Sequence, residues 1–210
     1  MRPLFLLLTA AALLPAQIGS KSVVPIKVER KVALVIGNSV YRDLEPIPAA
    51  ANDADDMAAT LRRLGFEVTV KKNLGAKALI TEVAAFKATI RRGDLALLYY
   101  SGHGASLGEE NYLLPVDYDL PDDPDLARQE ACPMSAVRDK LEDSGALVRV
   151  LIFDACRGPA LRNKDSEGNP ASIESTLEGT VIAFASRTNR IHSSMPETGT
   201  AFTRNACWLR

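Results

Sequence analysis

Short apolar runs recur along this chain, at residues 32–36, 66–70, 95–100, 148–153 and 180–185. The runs at 32–36, 95–100 and 148–153 are apolar on both faces, as strands covered on both sides must be. The run at 66–70 alternates and reads as a strand with one wetter face. Helical patterns lie between several of these runs. Strands alternating with helices need right-handed crossovers, and those build a mostly parallel sheet. The expected fold class is therefore α/β, a three-layer sandwich with helices on both faces of a mostly parallel central sheet.

The helical patterns have readable ends. Asn52 reads as an N-cap, with Asp53, Asp55 and Asp56 in the first turn, where carboxylates complement the helix dipole. Met57, Leu61 and Leu64 form one face, and Arg62, Arg63 and Gly65 mark the stop. Leu79, Val83, Phe86 and Ile90 make a second amphipathic face, ended by Arg91, Arg92 and Gly93. A third helix is expected over residues 133–142, with Met134, Val137 and Leu141 on one side. Residues 101–132 read as irregular and acidic, and residues 157–175 as a polar, Gly- and Pro-punctuated surface loop.

The first twenty or so residues differ from the rest. Arg2 precedes an apolar core at residues 4–14, followed by Pro15, Ala16, Gln17, Gly19 and Ser20. A short positive start, a core too short to span a bilayer and a small-residue exit match a secretory signal peptide. The expected organisation is a signal peptide at 1–20, a linker at 21–30 and one domain at 31–210, whose last element looks short. Export to the periplasm or the medium follows, with an uncleaved anchor as the rival reading and no stable membrane span after cleavage. At 210 residues and a net charge of −1, the chain can bury one substantial core. It carries no basic stripe for nucleic acid.

The reactive residues sit where two apolar runs end. Residues 95–100 lead into Ser101-Gly102-His103-Gly104, and residues 148–153 lead into Asp154-Ala155-Cys156-Arg157-Gly158. In an open parallel sheet, ligands bind at that carboxyl edge. An imidazole beside a thiol is the minimum equipment for nucleophilic acyl transfer, because the free thiol is mostly protonated at neutral pH and needs a base. The chain has only two histidines, His103 and His192, and His192 lies in a polar stretch that reads as exposed loop. The glycines flanking His103 suggest a sharp turn open to substrate. The amides of Gly104 and Cys156 could then form an oxyanion hole.

His103 and Cys156 are separated by about 50 residues, the His-to-Cys spacing of a caspase signature. The chain from about Arg30 to Arg204 resembles the caspase-like p20 domain, above all metacaspases and bacterial caspase homologues. The pieces that carry the resemblance are Val32-Ala33-Leu34-Val35-Ile36-Gly37-Asn38, Asn52-Asp53-Ala54, Tyr100-Ser101-Gly102-His103-Gly104, Tyr112-Leu113-Leu114-Pro115-Val116-Asp117 and Asp154-Ala155-Cys156-Arg157-Gly158. The resemblance implies His103 as catalytic histidine, Cys156 as nucleophile, and Gly104 and Cys156 as oxyanion donors. It implies that Asp53 and Asp154, with Ser101 nearby, line the pocket for the residue before the cut. Two carboxylates there would favour Arg or Lys and repel Asp. It further implies a peptide or protein substrate and, in parts of the family, self-cleavage, for which Arg162 and Lys164 are candidates.

Other chemistries fit less well. Three scattered cysteines, Cys132, Cys156 and Cys207, show no zinc-site pairing, although Cys132 and Cys207 could form a disulfide. Gly37-Asn38 lacks the glycine pattern of a dinucleotide turn. Asp117, Asp119, Asp122, Asp123 and Asp125 could offer oxygen ligands to an activating calcium, but they follow no EF-hand spacing, so a solvated loop is expected and no cofactor or metal site is assigned. A catalytically weak or inactive interaction module remains the alternative function, and the oligomeric state is open.

Overall fold

The computed structural model describes residues 27–157, 160–161 and 179–184, with the side chains of 156 and 157 excluded. The expected leader, most of the polar loop with Arg162 and Lys164, and the residues beyond 184 with His192 and Cys207 lie outside these described residues.

The chain runs β1 (Lys31–Gly37), α1 (Pro48–Arg63), β2 (Glu67–Lys72), α2 (Ala76–Thr89), β3 (Leu95–Leu107), β4 (Glu110–Leu113), α3 (Pro124–Glu130), β5 (Cys132–Pro133), α4 (Met134–Glu142), β6 (Val148–Arg157) and β7 (Thr180–Phe184). Strands β2, β1, β3, β6 and β7 lie side by side in that order, and every pair among them is parallel. On the α1 side, Ala54, Ala58 and Leu61 pack on Ala33, Val35, Leu97 and Tyr99. On the other side, Leu79, Val83 and Phe86 of α2 and Val137 and Leu141 of α4 cover Val32, Leu34, Ile36, Leu98 and Tyr100. Odd and even residues of each strand thus feed opposite cores, as the pleat demands. The three-layer α/β expectation holds.

Three local expectations are corrected. Helix α1 starts at Pro48, capped by Ile47 with no side-chain bond, not at Asn52. Proline suits the first helical position because its missing N–H would be unpaired there anyway, and the alanines that follow propagate the helix. Asp53 therefore sits within the helix, and dipole compensation no longer accounts for it. Strand β3 does not stop at Tyr100 but continues to Leu107, and β6 continues to Arg157. Residues 101–132 are also more ordered than their composition suggests. Strand β4 pairs antiparallel with residues 104–107 of β3, and β5 pairs with β4. Ala105, Leu107, Tyr112, Leu114 and Tyr118 form a further small core with Tyr41 and Leu44.

Helix α1 lies very close to the end of β1. A Cβ on Gly37 would stand 2.6 Å from the Ala50 carbonyl oxygen and 2.7 Å from the Ala54 Cβ. Only glycine lets the helix descend that far. Residues 29 and 30, at the end of the expected linker, are docked on the domain: the Glu29 amide donates to the Gly93 carbonyl at 3.1 Å.

Candidate active site

The candidate site forms at the carboxyl ends of β1, β3 and β6. From β1 the chain goes to β2 on one side and later to β3 on the other, and such a reversal opens a crevice above the sheet. Asn38, fully buried, ties the loops together at this end of the sheet. Its Oδ1 accepts the Leu74 amide at 2.9 Å, and its Nδ2 donates to the carbonyls of Leu74 at 3.3 Å and Leu114 at 3.5 Å. One side chain thereby joins the loops after β1, β2 and β4.

His103 is buried at this end of the sheet. Its Nε2 lies 2.7 Å from the Glu45 carbonyl oxygen. A carbonyl has no hydrogen to give, so Nε2 carries the proton and Nδ1 holds a lone pair. Nδ1 has no hydrogen-bond partner among the described residues. Burial lowers the imidazole's pKa from its ordinary value, and the Glu45 carbonyl opposes that in part. The ring is therefore neutral and able to accept a proton near neutral pH. Two X-Pro steps, Glu45-Pro46 and Ile47-Pro48, favour an extended path for the chain that presents this carbonyl.

Cys156 is the register partner of His103 across the parallel β3–β6 pair. Neighbouring strands run about 4.8 Å apart, so the two backbones stand side by side at one sheet edge. The expected sharp turn around His103 is not formed, and both flanking glycines lie in extended strand for a packing reason. A Cβ on Gly102 would stand 2.6 Å from the Tyr41 hydroxyl and 2.7 Å from the Tyr100 hydroxyl. A Cβ on Gly104 would meet the Ala155 Cβ at 2.9 Å. Gly104 is paired on both edges, with Leu113 and Arg157.

The three residues expected to line a cation pocket converge on Tyr99. The Tyr99 hydroxyl donates to Asp154 Oδ2 at 3.3 Å. Burial, then the Asp154 charge, and further the Asp53 charge hold this phenol far above its ordinary pKa, while a hydrogen bond with Ser101 works the other way. Ser101 is buried and is the register partner of Asp154. Asp53 reaches the group from α1, where it is exposed.

The other candidates are otherwise engaged. Cys132 is buried and unpaired among the described residues, and burial pushes its thiol up to about 11. The acidic residues of 117–125 are not simply solvated. Asp117 accepts the Ala76 amide at the start of α2 at 2.8 Å, Asp123 caps α3, and Asp125 pairs with Arg128 at 2.6 Å. Among the described residues, no group of three His, Cys, Asp or Glu side chains is placed to hold a metal ion.

Sequence reasoning missed Tyr41, Glu45 and Tyr99. The Glu45 contribution is a backbone carbonyl, which no side-chain pattern announces. Tyr99 was legible only as a strand residue, although its place two residues before Ser101 puts it on the same face.

Residues 30–209 match the family model Peptidase_C14, the Caspase domain. The chain belongs to the caspase-domain family. Among curated relatives, it is 30% identical over 128 residues to the human mucosa-associated lymphoid tissue lymphoma translocation protein 1, an alignment covering 60% of this chain and 15% of that protein. It is 29% identical over 196 residues to caspase-1 of Equus caballus, covering 82% of this chain and 46% of the relative. The chain thus corresponds to less than half the length of these relatives. Among solved structures, the Drosophila initiator caspase Dronc superposes with a TM-score of 0.57 at 12% identity, covering 88% of this chain and 69% of that one. Pro-sf-caspase-1 superposes with a TM-score of 0.54 at 18% identity, covering 74% and 61%. At such identities the likeness speaks for the caspase fold alone. The family is one of cysteine peptidases.

Proposed function

We propose that this caspase-domain chain is a cysteine endopeptidase of metacaspase type that cleaves after Arg or Lys. The observation that carries the reading is the lateral pairing of His103 with Cys156, beside an imidazole nitrogen that is buried, unprotonated and without a hydrogen-bond partner among the described residues. In this reading His103 Nδ1 takes the proton of the Cys156 thiol, and the thiolate attacks the scissile carbonyl. The amides of Gly104 and Cys156 stabilise the oxyanion. His103 then passes its proton to the leaving amine, so the C–N bond breaks as the acyl-enzyme forms. Water, deprotonated by the same nitrogen, releases the acid and restores the thiol.

The Glu45 carbonyl serves by holding Nε2–H, so that the charge gained at Nδ1 is shared with a fixed acceptor. Asp53 and Asp154, with Ser101, favour a cationic side chain before the cut. The leader at residues 1–20 adds export of the mature protein. No helix among the described residues is long and apolar enough to cross a membrane.

The test is turnover of fluorogenic peptides ending in Arg, Lys or Asp, with and without calcium. Arg and Lys peptides should be cleaved and Asp peptides should not. Cys156→Ala should abolish turnover, and His103→Ala should lower kcat by about 10²–10⁴-fold. Equal cleavage after Asp would remove the pocket assignment. If no peptide is cleaved and an active-site thiol probe fails to label Cys156, the chain is an interaction module instead.

A further inference from the structure

We propose that Tyr41, working through Tyr100, is a positioning residue that clamps the main chain of His103. The proposal rests on the peptidase reading for its functional meaning, but its geometry stands on its own.

The two main-chain groups of His103 are both held by tyrosine hydroxyls. The His103 amide donates to the Tyr41 hydroxyl at 2.7 Å. The Tyr100 hydroxyl lies 3.0 Å from the His103 carbonyl and 3.0 Å from the Leu114 carbonyl. The two hydroxyls are 3.4 Å apart. Each phenol has one hydrogen to donate. The amide spends its hydrogen on Tyr41, Tyr41 can pass its own to Tyr100, and Tyr100 has a carbonyl to receive the last. The two hydroxyls and the main chain of His103 thus form one buried hydrogen-bonded cluster, in which either phenol can donate to the other. Burial holds the Tyr100 phenol neutral, so its hydrogen stays available to that cluster.

Tyr41 acts on the ring as well. It packs edge-on against the imidazole, with centroids 4.6 Å apart and planes at 64°. The backbone amide and the ring of His103 are thus both fixed by one side chain from the loop that also supplies Glu45. The space for the two hydroxyls exists only because position 102 is glycine. Three features of the sequence, Tyr41, Tyr100 and Gly102, serve one end: the direction in which Nδ1 presents its lone pair. A displacement of about 1 Å in such a group can cost 10²-fold in rate.

Tyr41→Phe keeps the ring and removes the hydroxyl. In the full chain, the His103 amide should lose at least tenfold in hydrogen-exchange protection, with no comparable change at Leu98 in the buried strand. With an Arg peptide, kcat should fall roughly tenfold while KM stays within twofold, and the acid limb of the pH profile should not move. Tyr41→Leu, which also removes the ring edge, should raise the His103 titration midpoint toward the ordinary value. NMR reads it directly, with His192→Gln assigning the second histidine. Tyr100→Phe should reproduce the kcat loss if Tyr41→Phe does not fold. Unchanged His103 exchange in Tyr41→Phe, or a rise in KM with kcat unchanged, would overturn the clamp. If the wild type cleaves nothing, the peptidase reading fails, and the exchange and titration measurements still decide the clamp.

Discussion

His103 is held at its ring and at its main chain alike. Its Nε2 is tied to Glu45, its amide and carbonyl to two tyrosines, and its ring is taken out of water. The last of these has a measurable consequence. Burial disfavours the imidazolium, so the folded pKa lies below the ordinary value of 6.5. In the proposed mechanism the base is active when neutral, and a lowered pKa keeps it neutral at more acidic pH. The acid limb of kcat/KM, which reports groups of the free enzyme, should therefore have its midpoint below about 6.5. A profile between pH 4.5 and 8 on an Arg peptide checks this. A midpoint at or above the ordinary histidine value would mean that water or a carboxylate reaches the ring. Cys156→Ala provides the background of the profile.

At the level of strands and helices, the legible parts were those with a strong period. The apolar runs of β1, β3 and β6 and the faces of α2 and α4 were readable because burial on one or two sides imposes a pattern of its own. The continuation of β3 through Ser101-Gly102-His103-Gly104 was not, because glycine and serine usually mark a break. Here the glycines allow close packing against Tyr41, Tyr100 and Ala155, and the strand goes on because Ala105 and Leu107 enter a second core. The start of α1 was misread for a related reason. Asn52 is a good cap by chemistry, yet Pro48 and the alanines after it begin the helix earlier, and the polar stretch becomes a helix face. The family resemblance nominated Asp53, Asp154 and Ser101 as a cation pocket, but not Tyr99, which bonds Asp154 and is influenced by the Asp53 charge. Asn38, within a recognised motif, shows what such elements depend on. Asn38→Ala would leave the buried Leu74 amide without its acceptor, at a cost of about 1–3 kcal/mol. Urea unfolding should show that loss. Because the same side chain joins three loops at the crevice, kcat/KM should fall in the folded protein too. A variant with full stability and full activity would show that the loops hold one another without it.

At the scale of the described fold, the knot that secures the sheet and the proposed catalytic site occupy opposite ends of the strands. The carboxyl ends carry His103, Cys156 and the acids around Tyr99. The amino ends are fastened by Asp94, whose side chain is 2% exposed. Its Oδ2 accepts from Arg30 at 2.8 Å and from the Arg91 amide at 2.8 Å, while its carbonyl accepts the Leu147 amide at 2.9 Å. Arg30 also reaches Glu67 at 3.2 Å and the Thr89 carbonyl at 2.7 Å. Strands β1, β2, β3 and β6 all meet this one knot. Burial opposes the Asp94 charge, but the guanidinium and the Arg91 amide outweigh it and hold its pKa below the usual value. A carboxylate lowered in this way stabilises the fold above its unfolded pKa of about 3.9, and that contribution is lost as pH falls toward the folded value. Asp94→Asn should cost about 3 kcal/mol at pH 7, near the lower end for removing one partner of a buried pair. The partly exposed Arg30 keeps Glu67 and water, which argues for that end. The gap between wild type and variant should narrow as pH drops below about 4, since the wild-type carboxyl then also becomes neutral. Urea midpoints at pH 7, 5 and 3.5 measure it. The folded variant should retain the wild-type kcat/KM, because the knot lies at the far end of the strands from the crevice. A gap independent of pH would assign the loss to packing rather than charge, and a loss of activity without loss of stability would mean that the two ends of the sheet are coupled.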